Sequence, residues 1–161
     1  MANTASMCTS FMGELMTATH NFGTAPIRAA TTADTFKAAL YFASATINAS
    51  TTVYSTTGEV TNTSGTGYTA GGVTVTNGTA PIATNSSATA GVAYWTPTAS
   101  FSWTSLTVTT AFDSVLVYNS TQSNKAVAVY TFGSQTITAG TFTLTMPSNT
   151  TTTGLLRLAT T

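Results

Sequence analysis

Charge is what this chain has least of. Eight of its 161 residues carry a formal charge, four of each sign, or 5% of the chain, against roughly 25% in an ordinary soluble domain. Nucleic acids and anionic membranes are held by basic patches, and four Lys/Arg spread over the whole length do not build one. Neither partner is expected. The single cysteine, Cys8, rules out an intrachain disulfide. With one histidine, a Cys/His metal site is limited to Cys8 and His20, so no metal or cofactor is expected. No apolar run approaches the length that spans a bilayer as a helix. No Lys or Arg precedes Arg28, and residues 2–9 are mostly small and polar, which is not the pattern of a secretory signal. The chain is expected to fold without export in the cell that makes it.

Catalytic sets are equally thin. The acids Glu14, Asp34, Glu59 and Asp113 are scattered, with no close pair in sequence. No G-x-S-x-G stretch occurs. Cys8 and His20 form a nucleophile–base pair only if the N-terminal segment folds back on itself. The plainer reading is a small buried cysteine and a hydrogen-bonded histidine. No enzymatic activity is expected. With so few charges, Arg28, Lys37, Lys125 and Arg157 are each expected to satisfy an acid or a carbonyl, because a lone buried charge is costly.

What the chain does have is hydroxyl. Threonine occurs 41 times and serine 16 times, beside 24 alanines. Hydrophobic residues make up 42% and aromatics 10%, enough for a core. The net charge is zero, whereas soluble monomers usually hold a net charge of about 2–8 in magnitude. Lys and Glu, which guard sheet edges, are also scarce. Together these point to surfaces covered in an assembly. Six N-x-S/T sequons, at Asn48, Asn62, Asn77, Asn85, Asn119 and Asn149, read as a by-product of the Ser/Thr content.

The hydrophobic period divides the chain into residues 1–33 and 34–161. In the first part, Phe11, Leu15 and Ala18 share a helical face, with Met12 and Met16 on an adjacent stripe. A short helix from about Phe11 to Thr19, capped by Ser10, is predicted. It serves as an arm that packs on its own sheet or on a neighbouring subunit. From Asp34 the period is two: Phe36, Ala38, Leu40 and Phe42; Val73 and Val75; Phe142, Leu144 and Met146. These read as strands with one wet or interfacial face. Residues 114–119 and 125–133 are apolar on both faces and read as central strands joined by the polar hairpin connection 119–124. A second hairpin is predicted across residues 138–141, a strand ending at Trp95-Thr-Pro97, and a last strand over residues 155–159. The predicted fold is all-β, an antiparallel β-sandwich of jelly-roll type with a short N-terminal helix or arm.

Gly65-Thr-Gly67 and Gly71-Gly72 resemble a phosphate loop in composition, but no helix or Lys-Ser/Thr follows. They read as tight turns before the Val73 strand. Tyr68, Tyr94, Trp95, Phe101 and Trp103 are candidates for stacking on sugar rings or, more commonly, for filling a core.

Several stretches carry a resemblance: Thr35-Phe-Lys-Ala-Ala-Leu-Tyr41, Thr56-Thr-Gly-Glu-Val60, Gly67-Tyr-Thr-Ala-Gly-Gly72, Ala111-Phe-Asp-Ser-Val-Leu-Val-Tyr-Asn119, Lys125-Ala-Val-Ala-Val-Tyr-Thr-Phe-Gly133, Phe142-Thr-Leu-Thr-Met-Pro147 and Leu155-Leu-Arg157. Ser10-Phe-Met-Gly-Glu-Leu15 and His20-Asn-Phe22 belong to the same pattern. In this order they resemble a family of small structural proteins from tailed bacteriophages. The resemblance implies a capsid decoration (cement) protein that binds the outside of the head and holds capsomers together. Its partners would be the major capsid protein and further copies of itself, for instance as a trimer. A tail or adhesin component and a carbohydrate-binding module are the alternatives. Phe11, Leu15, Met16 and Phe22 are the candidate contact between subunits.

Overall fold

The computed structural model describes residues 3–16, 18–22, 33–61, 67–84 and 91–159. Its elements in chain order are β1 (Ser6–Met7), α1 (Thr9–Met16), β2 (Phe36–Phe42), β3 (Val73–Thr74), β4 (Ile82–Ala83), β5 (Val92–Trp95), β6 (Phe101–Asn119), β7 (Lys125–Leu144) and β8 (Leu156–Ala159). The strands form two antiparallel sheets, one ordered β1-β7-β6-β2-β3 and one ordered β4-β5-β8. The all-β fold with a short N-terminal helix is the one the period-two pattern implied.

The helix starts two residues earlier than expected and stops at Met16, so Ser10 lies in its first turn instead of capping it. It ends because Ala18 adopts a left-handed backbone (φ 52°). That reversal lets Ala18 N–H and Thr19 N–H donate to the carbonyls of Leu15 and Glu14, which satisfies carbonyls the last turn leaves open.

The large sheet is built on the β6–β7 hairpin, whose strands run 19 and 20 residues. Asn119 ends β6, and its side-chain oxygen accepts from the backbone N–H of Thr121 and Gln122, which folds the polar connection back into β7. Next to this hairpin, Phe36, Ala38 and Leu40 of β2 lie opposite Asn119, Val117 and Val115 and share one face of the sheet. Lys37, Ala39 and Tyr41 share the other face with Tyr118, Leu116 and Ser114. β2 was expected to keep one wet face. Instead, all but Lys37 and Phe42 are buried, because the 43–61 segment covers the second face. There Tyr54 stacks on Tyr118 at 4.5 Å, and Tyr41 Oη donates to the Ser55 carbonyl at 2.5 Å.

Beyond Phe112, where β2 ends, the hairpin continues as a two-stranded ribbon. In β6 the buried positions are Phe101 and Trp103, then Leu106 and Val108. The parity changes at Ser105, whose φ is +54°. One extra residue in a strand moves every later side chain to the other face, so this bulge keeps the apolar residues inward. β7 makes the matching change at Ala139 (φ 50°), between half-buried Ile137 and the Gly140, Phe142 series. The hairpin expected across residues 138–141 is therefore a correction. Those residues run inside β7, with Ile137 opposite Val108 and Gly140 opposite Leu106. The small polar residues that suggested a turn instead form a bulge, tied by Ala139 N–H donating to Thr107 Oγ1 at 3.0 Å.

Two glycines lock the long loop before β3 onto the sheet. A Cβ on Gly72 (φ +72°) would sit 1.8 Å from the Ala38 carbonyl oxygen, and one on Gly67 (φ +102°) would sit 2.1 Å from that of Ser105. These are the tight turns that the glycine pattern implied.

The small sheet meets the large one through the N-terminal segment. Phe22 stacks on Phe36 of β2 at 4.2 Å and packs against Trp95 of β5 at 4.8 Å. Asn77 clamps this junction: its amide donates to the Phe22 carbonyl at 2.6 Å, while its oxygen accepts from Trp95 Nε1 at 2.9 Å.

Candidate functional site: two buried polar clusters and a charge-free surface

The first cluster joins the N-terminal segment to the β6–β7 turn. α1 presents Glu14, whose carboxylate accepts from Lys125 Nζ at 2.5 Å and from His20 Nε2 at 2.7 Å. On the other side of the imidazole, Asn119 Nδ2 lies 3.1 Å from His20 Nδ1 and 2.8 Å from Asp34 Oδ2. Asp34 also accepts from the Asn21 backbone N–H and from Gln122 Nε2. Burial favours the protonated form of Glu14, but the hydrogen bonds from Lys125 and His20 outweigh it and hold the carboxyl below its ordinary value. Burial also pushes the His20 imidazole below its ordinary value, ahead of the opposing pull of Glu14. Of the charges scattered along the sequence, Glu14 and Lys125 pair in space and Arg157 Nε donates to the Thr151 carbonyl, while Arg28 lies outside the described residues.

This geometry does not assemble a Cys–His pair. Both ring nitrogens of His20 face Glu14 and Asn119. Cys8 is fully buried, and burial followed by the nearby Glu14 pushes its thiol up to about 11, away from the thiolate a nucleophile needs. No three His, Cys, Asp or Glu side chains gather as a metal site among the described residues. No helix among them is long and apolar enough to cross a membrane.

The second cluster is centred on Glu59, 3% exposed on the opposite face of the sheet. Its carboxylate accepts from Tyr54 Oη at 2.6 Å, Tyr68 Oη at 2.8 Å and Gly71 N–H at 2.7 Å. Tyr68 Oη in turn accepts from Leu40 N–H, and Tyr118 Oη donates to the Gly71 carbonyl. Burial raises the phenols of Tyr41, Tyr54 and Tyr68, and lifts Tyr118 to about 12. Nothing in the sequence marked Glu59 as a hub, although its two phenol partners, Tyr54 and Tyr68, lie only five and nine residues away.

The proposed contact residues are distributed differently from the expectation. Phe11 is 2% exposed and Phe22 is 7% exposed, both within the core of their own chain. The reason is the aromatic stack: Phe11 meets His20 at 4.8 Å and Phe22 at 5.9 Å. Phe11 and Phe22 thus pack within the chain itself. Leu15 is half-buried beside an apolar groove of about 110 Å³ between α1 and the small sheet, next to Leu158. Met16 closes α1, and its side chain lies outside the described residues. Of the sugar-stacking candidates, Trp95, Phe101 and Trp103 are each 2% exposed, so they fill the core.

The surface itself is the remaining feature. No charged residue occurs from 60 to 112 or from 126 to 156. Along the ribbon Ser102, Thr104, Thr109 and Thr110 on β6 and Thr136, Thr138, Thr141 and Thr143 on β7 are all exposed. Among the described residues, β7 pairs on its outer edge with Ser6 and Met7 of β1, opposite Val129 and Ala128, and through a single bridge from Lys125 to Val53. Among the described residues, no strand pairs with its distal half on that side.

Compared with known proteins, the chain matches no family model, no curated protein and no solved structure.

Proposed function

We propose that this chain is a non-enzymatic structural protein of a tailed-phage virion, a capsid decoration protein that binds the outside of the head and reinforces joints between capsomers. The observation that carries this reading is the charge-free ribbon of β6 and β7, with its exposed hydroxyls and a distal outer edge that no described strand covers. The resemblance set out above supports it independently.

A neutral hydroxyl surface can pack against a protein lattice, and against further copies of itself, without like-charge repulsion. Its hydroxyls retain hydrogen-bonding capacity for the backbone and side chains of the partner. An interface of standard size, about 1,600 Å², anchors one copy. Symmetry-related copies joined to one another then resist expansion together by multivalency. The partners are the major capsid protein and the chain itself. The rigid elements serve this role: the aromatic junction at Phe22 and the Glu59 cluster hold the sheet and its loops in one shape, so little ordering is left for binding.

The test is quantitative mass spectrometry of purified particles that contain the chain. Copies on the order of hundreds per particle support a head lattice, while about six or twelve place it at the tail, following the symmetry of each site.

A further inference from the structure

We propose that the Glu14–His20–Asn119–Asp34 cluster is an acid-operated latch, which releases β1 and α1 from the sheet when His20 takes up a proton while the β2–β6–β7 core stays folded.

The proposal rests on the fixed orientation of the Asn119 amide. Its oxygen accepts from the backbone N–H of Thr121 and Gln122, and its nitrogen donates to Asp34 Oδ2. Flipping the amide would break all three contacts. The group facing His20 Nδ1 is therefore a donor, and Nδ1 must accept, unprotonated. Nε2 then carries the hydrogen and donates to Glu14. An imidazolium has an N–H on both nitrogens, so protonation sets Nδ1–H against the Asn119 N–H and breaks the bond between the N-terminal segment and the β6 terminus.

The charged and titratable groups around the ring are Glu14 from α1, Lys125 from β7 and Asp34 ahead of β2; Cys8, ahead of α1, lies near Glu14. Tyr130 of β7 lies near Cys8. The two acids favour the cation, and Lys125 disfavours it. Phe11 and Phe36 close the remaining sides at 4.8 and 6.2 Å, and their apolar burial opposes the charge most. The sign follows. His20 is held below its ordinary value, so the unfolded segment binds a proton more readily than the docked one. The latch is complete above that ordinary value and is lost as pH falls through the folded one. Glu14, also held low, adds a loss in the same direction at more acid pH.

What acid would free is a defined unit. α1 and β1 attach to the body through β7, through the Phe11–Phe22–Phe36 stack and through this cluster, while Asn3 and Thr4 ahead of them are tied to Phe42, Asp113, Ser114 and Ile47, and Phe22 behind them to Asn77 and Trp95. Their release uncovers the β7 edge at Ala128 and Val129. The core strands are held by their own ladder and by the Glu59 cluster, which contains no histidine.

His20 is the chain's single histidine, so its NMR signals are unambiguous. The expected result on the wild-type protein is an Nε2–H tautomer near neutral pH and a titration below the ordinary histidine value. Amide-exchange protection of residues 8–22, corrected for intrinsic rates, should fall about ten-fold or more over that titration, with residues 115–118 and 126–129 still protected. His20→Gln, which keeps a donor and an acceptor, should remove this step and leave only the more acid one of Glu14. An Nδ1–H tautomer, protection unchanged through the titration, or simultaneous loss in arm and core would each overturn the proposal.

Discussion

Replacing Phe22 by alanine tests the central packing claim, that the N-terminal segment is the layer joining the two sheets of one chain. The ring is 7% exposed, stacks on Phe36 at 4.2 Å, and meets Trp95 at 4.8 Å and Phe11 at 5.9 Å. Truncating a buried Phe to Ala costs about 3–5 kcal/mol, the transfer of the ring plus the cavity left behind. The upper half of that range is expected here, because three aromatic neighbours lose their partner. For a domain of this length 1 kcal/mol moves Tm by about 2–4 °C, so a drop of about 8–20 °C is expected. Phe22→Leu keeps most of the volume and should cost about 1.5 kcal/mol or less. Guanidinium unfolding followed by tryptophan fluorescence reads both, since Trp95 sits against the substituted ring. A cost below about 1 kcal/mol for Phe22→Ala would mean that the segment does not bear on its own sheets, and the joining-layer account would be wrong.

Further outcomes follow from the polar clusters and the indole contacts. Glu59→Leu leaves Tyr54 Oη, Tyr68 Oη and Gly71 N–H without their acceptor. It should cost about 3 kcal/mol or more, and Glu59→Gln clearly less; equal costs in urea unfolding would show that these bonds do not matter. Tyr41, Tyr54, Tyr68, Tyr118 and Tyr130 all have phenols raised by burial above the ordinary value of 10.0. Their contribution is present below that value and lost as pH rises through the folded ones, so phenolate absorbance should appear late and together with loss of the β-sheet circular dichroism. Early, reversible ionisation of these groups in a folded protein would contradict this. Trp95 Nε1 donates to Asn77 and to the Thr79 carbonyl, whereas Trp103 Nε1 is buried with no partner among the described residues. Trp95→Phe should therefore destabilise more than Trp103→Phe by about 1 kcal/mol, and the reverse order in thermal melts would refute the assignment of these bonds.

The parts of the fold visible in the sequence are those with an uninterrupted local pattern. Residues 114–119 lie in the central strand of the sheet and 126–129 are buried beside them, whereas 130–133, expected to be covered on both sides, are half-buried or exposed; the polar connection between the two strands is a turn. The Ser105 and Ala139 bulges were not visible, because each breaks the period of two that reading relies on, and Ala139-Gly140 has the composition of a turn. The second buried face of β2 escaped for another reason: the segment that covers it comes from residues 43–61, and no local pattern announces a loop that packs as a layer. Cys8 and His20 were legible as buried, hydrogen-bonded groups, and Lys125 as the partner of an acid. The identity of the partners was not, since Glu14 lies 111 residues from Lys125 and only the fold brings them together.

The assembly reading is tested most directly by a density map of the intact particle. The chain is expected on the outer surface of the head, at joints between capsomers, with the β6–β7 ribbon against the major capsid protein or a second copy and α1 against its own sheet. Density for the chain only at the tail or inside the head would contradict the decoration role. Finding the ribbon exposed to solvent on a correctly placed chain would contradict the surface assigned to it.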